Sequence, residues 1–89
     1  MSDSTKSLSV TIKRPERVEF LGKAKALTSI NMRGQFDVLP LHANFITLIK
    51  EKVTIHLENK EPVSFPLQSG IIKVTGNSVT VLIGIETHT

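Results

Sequence analysis

The chain has 89 residues, enough for one domain with a modest interior. Eleven Lys and Arg stand against eight Asp and Glu, scattered along the chain, and Tyr and Trp are absent; this argues against nucleic-acid binding, which clusters charge and stacks bases on aromatics. Cys is also absent, which excludes disulfides and thiolate metal sites, and no apolar run approaches the roughly 20 residues a membrane-crossing helix needs, so no direct membrane insertion is expected.

Residues 1–7 read as a flexible polar arm without the apolar core of a signal peptide, and residues 8–89 as the domain. The first strand signal is Leu8, Val10 and Ile12 alternating with Ser9, Thr11 and Lys13, and Pro15 sits where that strand should end. Further on, Val53, Ile55 and Leu57 alternate with Thr54, His56 and Glu58. Asn59 to Pro62 reads as a longer hairpin connection, followed by Val63, Phe65 and Leu67. Pro66 cannot donate a ladder hydrogen bond, so it argues for an edge or a bulge. Gly76-Asn77 reads as a tight hairpin between Ile72–Val74 and the last run, Val79, Val81, Ile83 and Ile85. Side chains alternate across a strand, so each run has one apolar face. No segment of helical period is long enough to cover those faces. Two sheets must cover each other, as a sandwich or a barrel. Ile71 and Leu82 point to the nominally polar faces of their strands and are candidates for a partner surface.

Chemistry-bearing patterns are few. His42, His56 and His88 have no zinc-motif spacing, no phosphate-binding Gly-rich loop occurs, and Ser69-Gly70 lacks a nucleophile-elbow pattern. His42 follows Pro40 in a connection with no recognisable nucleophile or orienting acid nearby; Asp37, the nearest acid, reads as a turn or strand-end residue. His56 alternates outward on its strand. No catalytic residue, cofactor or metal site is expected.

The stretch Gly34-Gln35-Phe36-Asp37-Val38-Leu39-Pro40-Leu41-His42-Ala43 resembles the Gly-Glu-Phe-Gly-Val-Leu-Pro-Gly-His-Ala signature of the epsilon subunit of F-type ATP synthases, called delta in mitochondria. The likeness runs nearly colinearly over about residues 8 to 85. Phe20-Leu21-Gly22 is similar to a Phe-x-Gly, Thr47-Leu48-Ile49-Lys50 to Thr-x-Leu-Lys, and Val53-Thr54-Ile55 to Val-x-Ile. Gln68-Ser69-Gly70-Ile71-Ile72-Lys73-Val74 is similar to Ser-Gly-Gly-Phe/Ile-Leu-Glu-Val. Asn77-Ser78-Val79-Thr80-Val81-Leu82 matches Asn-x-Val-Thr-Val-Leu. The departures are specific: Asp37 and Leu41 replace glycines, Gln35 replaces the Glu, Asn44 replaces a Pro, Asn31-Met32 replaces a Pro-Gly turn, and Lys50-Glu51-Lys52 stands for a Lys-Pro-Gly turn.

The resemblance implies an all-β fold: an antiparallel β-sandwich of about 8–10 short strands in two sheets, without the C-terminal helical hairpin that typical bacterial members carry. It implies a non-catalytic rotor subunit of the central stalk, linking gamma to the c-ring in proton- or sodium-coupled ATP synthesis. Such a subunit is cytoplasmic and peripheral, on the inner face of the plasma membrane through the ATP synthase complex. Ring-side contacts carried over by resemblance are Arg33, Gly34, Gln35, Phe36, Leu41 and His42; loss of the carboxylate at Gln35, with Arg33 beside it, alters charge complementarity there. The competing expectation is a stand-alone β-sandwich that binds or regulates another assembly.

Overall fold

The alternating segments become seven strands: β1 (Leu8–Arg14), β2 (Arg17–Ala24), β3 (Ala26–Asn31), β4 (Gly34–Val38), β5 (Phe45–His56), β6 (Val63–Thr75) and β7 (Ser78–Ile83). The structure, a computed structural model, describes residues 7–41 and 44–84, and no helix occurs among them. Pro15 ends β1 as its sequence position requires. Thr75 and Ser78 are joined across Gly76-Asn77, with Gly76 taking the positive φ of 60° that the tight turn demands.

The strands are hydrogen-bonded in the order β2-β1-β7-β6-β5-β3-β4. Among the described residues every pairing is antiparallel except β1 with β7, which is parallel and joins the first described strand to the last. The all-β sandwich expected from the sequence is borne out, with two differences in how it is built. Among the described residues there are seven strands where about 8–10 short ones were expected, and one continuous ladder where two sheets were expected. The cause is the length of β5 and β6, with 12 and 13 residues. The Phe45–Ile49 half of β5 and the Gly70–Thr75 half of β6 belong to a first layer with β7, β1 and β2. Their other halves belong to a second layer with β3 and β4.

The crossing between layers is built from two irregularities at one level. On β6, Gln68 and Ser69 together oppose Lys50, because the register passes from Ile49↔Gly70 to Glu51↔Leu67. That extra residue shifts the phase of the strand: Leu67 faces inward, and so do Gly70, Ile72 and Val74. On the β3 side, Ser29 pairs with Val53 and Ile30 with Lys50, so Glu51 and Lys52 are extra. Glu51 takes a left-handed φ of 73°, which turns it outward although its spacing from Ile49 and Val53 would point it in. Ser29, the one buried polar side chain among the described residues, donates its hydroxyl to the Lys52 carbonyl at 2.8 Å in this bulge. Pro66 satisfies both sequence readings: it lies next to the bulge, in the half of β6 that β7 does not reach. Gly70 is buried at the crossing, where a Cβ would come within 2.6 Å of the Leu82 carbonyl oxygen.

One apolar cluster fills the interior. Leu8, Val10 and Ile12 of β1 meet Leu27, Val38, Val53, Ile55, Ile72, Val74, Val79, Val81 and Ile83, all almost completely buried. Each such side chain contributes about 1.5–3 kcal/mol of burial. The four Phe close the rims. Phe20 on edge strand β2 packs edge-to-face on Phe65 of the second layer, and Phe36 on edge strand β4 packs the same way on Phe45 of the first, both with centroids 6.2 Å apart.

Candidate partner-binding surfaces

The outer face of the first layer carries an apolar row. Leu48, Ile71 and Leu82 are direct cross-strand neighbours, and Lys13 continues the row on β1. Leu48 is 65% and Leu82 38% exposed, and Ile46, two residues further along β5 beside Lys73, is 64% exposed. At its end, Asn31 and Met32 of the β3–β4 turn meet Thr47 and Leu48 around a shallow depression; Met32 is almost fully exposed. β1, β7, and the halves of β5 and β6 in this layer contain no Asp or Glu, so their charge is carried by Lys13, Arg14 and Lys73. A surface that is apolar, cationic and free of carboxylates along four adjacent strands suits a partner with apolar and acidic groups.

The outer face of the second layer is different. Asp37, Thr28, Thr54 and Ser64 form one cross-strand row. The Thr28 hydroxyl donates to Asp37 Oδ1 at 2.7 Å and lies 2.8 Å from His56 Nε2; Thr54 Oγ1 and Ser64 Oγ are also 2.8 Å apart. With its proton given to Asp37, the Thr28 oxygen accepts from His56, so Nε2 carries a hydrogen. The imidazole donates to the hydroxyl instead of taking its proton, the reverse of what an activated nucleophile needs. His56 is on the surface, as its spacing implied, and belongs to a polar ladder.

The residues carried over as ring-side contacts fall in two places joined by β4. Arg33 lies in the β3–β4 turn, where its amide donates to Asn31 Oδ1 at 2.8 Å, and Gly34 opens β4 with a φ of 118°. Gln35 is exposed on the second layer's outer face opposite Ile30, whereas the Phe36 ring packs inward on Phe45. Leu41 is 74% exposed in the β4–β5 connection with a φ of 65°, and its amide donates to Asn77 Oδ1 at 2.6 Å. His42 lies outside the described residues, as do Ile85 and His88. Sequence reasoning missed the roles of Asn44 and Asn77 as side-chain partners of this connection; Asn44 Oδ1 accepts the Gly76 amide at 2.8 Å.

At the Pro15 end, Glu19 accepts from Arg17 Nε at 2.8 Å and from Arg14 Nε at 2.9 Å. These two guanidinium groups, Arg17 first, hold its carboxyl below the ordinary carboxylate value, against partial desolvation that pushes it up. Arg14 also donates to the Pro66 carbonyl at 3.3 Å, tying β1 to the second-layer half of β6. No group of three or more His, Cys, Asp or Glu that could hold a metal occurs among the described residues.

Comparison with known proteins decides the family. The sequence profile of the ATP synthase delta/epsilon chain β-sandwich domain matches residues 7–85. The chain belongs to this family. The ATP synthase epsilon chain of Chlorobium limicola is 28% identical, over 92% of this chain and 94% of its own length. That of Nitratiruptor sp. is 33% identical over 86% of this chain and 60% of its own length, and that of Brevibacillus brevis 29% identical over 84% and 58%. The chain therefore spans nearly all of one of these relatives and about three fifths of the other two. Among solved structures, a chain of the Euglena gracilis mitochondrial ATP synthase, in an OSCP/F1/c-ring assembly, superposes with a TM-score of 0.81 at 15% identity, over 88% of this chain and 51% of its own. The likeness is one of fold, and it extends to a chain of the Tetrahymena thermophila central stalk and c-ring with a TM-score of 0.69. Among the described residues, no helix is long and apolar enough to cross a membrane.

Proposed function

We propose that this protein is the non-catalytic epsilon-type rotor subunit of an F-type ATP synthase, linking gamma to the c-ring during ion-driven ATP synthesis. The observation that carries this reading is the family match over residues 7–85 together with the names of the relatives, all ATP synthase epsilon chains. The apolar row Leu48–Ile71–Leu82, edged by Lys13 and Lys73, is the docking surface for gamma. Ile71 and Leu82, singled out by their place on a nominally polar face, are at its centre. Arg33 of the β3–β4 turn, Gly34 and Gln35 at the start of β4, and Leu41 of the β4–β5 connection face the ring. Met32 lies beside Leu48, so the ring-side turn borders the gamma surface and one subunit touches both partners at adjacent places.

The contribution is mechanical. A close-packed aliphatic interior resists deformation, and the crossing of β5 and β6 ties the two layers by hydrogen bonds as well as by packing, so torque received on one face is delivered at another. The subunit is peripheral to the membrane, held on the inner face of the plasma membrane through the complex.

Co-purification with the cognate gamma subunit tests the assignment. A stable complex at micromolar concentration is expected, weakened by Ile71→Asp. No detectable complex would refute the rotor role and favour a binding module of another assembly.

A further inference from the structure

The β4–β5 connection and the β6–β7 turn are 36 residues apart in sequence at Leu41 and Asn77, yet each supplies an Asn side chain that accepts a backbone amide of the other. Asn77 Oδ1 takes the Leu41 amide at 2.6 Å, and Asn44 Oδ1 takes the Gly76 amide at 2.8 Å. The receiving turn is itself anchored, because the Asn77 carbonyl accepts the Ser9 amide of β1 at 2.7 Å. Leu41 is held at a φ of 65°, a conformation a leucine rarely adopts without restraint from its surroundings. It stands where the family signature has Gly, and Asn44 stands where the signature has Pro. Leu41 and Asn44 are thus both hydrogen-bonded to the same turn.

We propose that Asn77 and Asn44 are positioning residues: a two-way clamp that ties Leu41 and Asn44 to the β6–β7 turn and so presents Leu41 in its exposed, left-handed conformation before a partner arrives. This rests on the rotor reading only for the identity of that partner, the polar end of the c-ring. A Leu41 already held in one conformation loses less conformational freedom on contact, so the clamp acts on affinity without touching the ring. Neither Asn side chain needs to contact the partner.

Amide hydrogen exchange in the full chain, followed residue by residue by NMR, tests the clamp directly. Asn77→Ala should speed exchange at Leu41 about tenfold or more, whereas Asn77→Asp, which keeps an acceptor oxygen, should restore much of the protection. Asn44→Ala should release Gly76 and leave the Ser9 bond to the Asn77 carbonyl intact; it also decides the matter should Asn77→Ala fail to fold. Unchanged exchange at Leu41 in Asn77→Ala, or at Gly76 in Asn44→Ala, overturns the clamp. In a reconstituted gamma–c-ring subcomplex, the alanine variants should bind about threefold to tenfold more weakly than wild type, with affinity for isolated gamma unchanged. Equal binding despite faster exchange overturns the presentation role. A wild-type chain that binds no rotor refutes the rotor reading, while the exchange result still decides the clamp.

Discussion

The two outer faces of this sandwich cover the same interior and differ in nearly everything else. The β1, β7, β6 and β5 part of the first layer shows Ile46, Leu48, Ile71 and Leu82 among lysines and no carboxylate; the second layer shows Asp37, Thr28, Thr54, Ser64 and His56 joined in hydrogen bonds. Folding requires only that the inward half of each strand be apolar, and both layers meet that requirement with Val, Ile and Leu. The contrast therefore reflects what each face meets outside. Water satisfies the hydroxyl ladder. It does not satisfy a row of aliphatic side chains aligned across three strands, which gains from being covered.

The largest expected effect breaks that asymmetry. Changing Ile71 and Leu82 together to Asp should weaken gamma binding by about a hundredfold or more, some 3 kcal/mol, because two charges would be stranded in a desolvated interface. Calorimetry on the Thr28→Ala, Thr54→Ala variant of the other face should find gamma affinity within about twofold of wild type, since no desolvated anchor is removed. A loss of similar size from the polar face would erase the distinction between them.

A second change attacks the joint that lets one ladder make two faces. Gly70→Ala places a methyl 2.6 Å from the Leu82 carbonyl oxygen, so β6 or β7 must move. Urea denaturation should show a loss of about 1–3 kcal/mol, as for other overpacked sites. A neutral outcome would mean that the crossing is softer than its packing implies.

The same joint carries strain that a glycine relieves. Glu51 sits at a φ of 73°, which costs a non-glycine residue roughly 1–2 kcal/mol, offset in part by the greater unfolded-state freedom of Gly. Glu51→Gly should therefore raise stability by about 0.5–1 kcal/mol, leaving the outer faces and gamma affinity as they were. The midpoint of the same urea transition reports it.

The smallest effect concerns the rim away from both faces. Glu19 is held below the ordinary carboxylate value by Arg17 and Arg14, so its stabilisation is present above about pH 4.5 and is lost as pH falls through its lowered folded-state value. Glu19→Gln should reduce the melting temperature slightly at pH 7, with the difference from wild type vanishing in strong acid. A difference that grew as the pH fell would reverse the assigned sign.

Much of this was legible in the sequence for a definite reason. Period two is a local property, and Leu8, Val10, Ile12, Val53, Ile55, Val79, Val81 and Ile83 all lie where their alternation places them, inside. Leu82 and Ile71 broke that pattern, which is why they could be singled out before any neighbour was known. The change of phase between Leu67 and Ile72 is also present in the chain. Its meaning as a crossing between layers is not, because a bulge is defined by the partner strand it is counted against. The Asn pairs stayed hidden for a similar reason: Asn44 and Asn77 each read as ordinary loop residues until the fold brings their two connections together.

Taken alone, the order of residues settles that this chain makes strands, which side of each strand is inward, where the tight turn falls and which family it belongs to. These depend on neighbours within a few positions, or on a pattern kept in register along the chain. Tertiary structure decides that β5 and β6 serve both layers, that β1 closes on β7 in parallel, that the four Phe seal the rims, and that one outer face is a continuous apolar row. Those are long-range pairings, and their free energy comes from contacts that do not exist until distant segments meet.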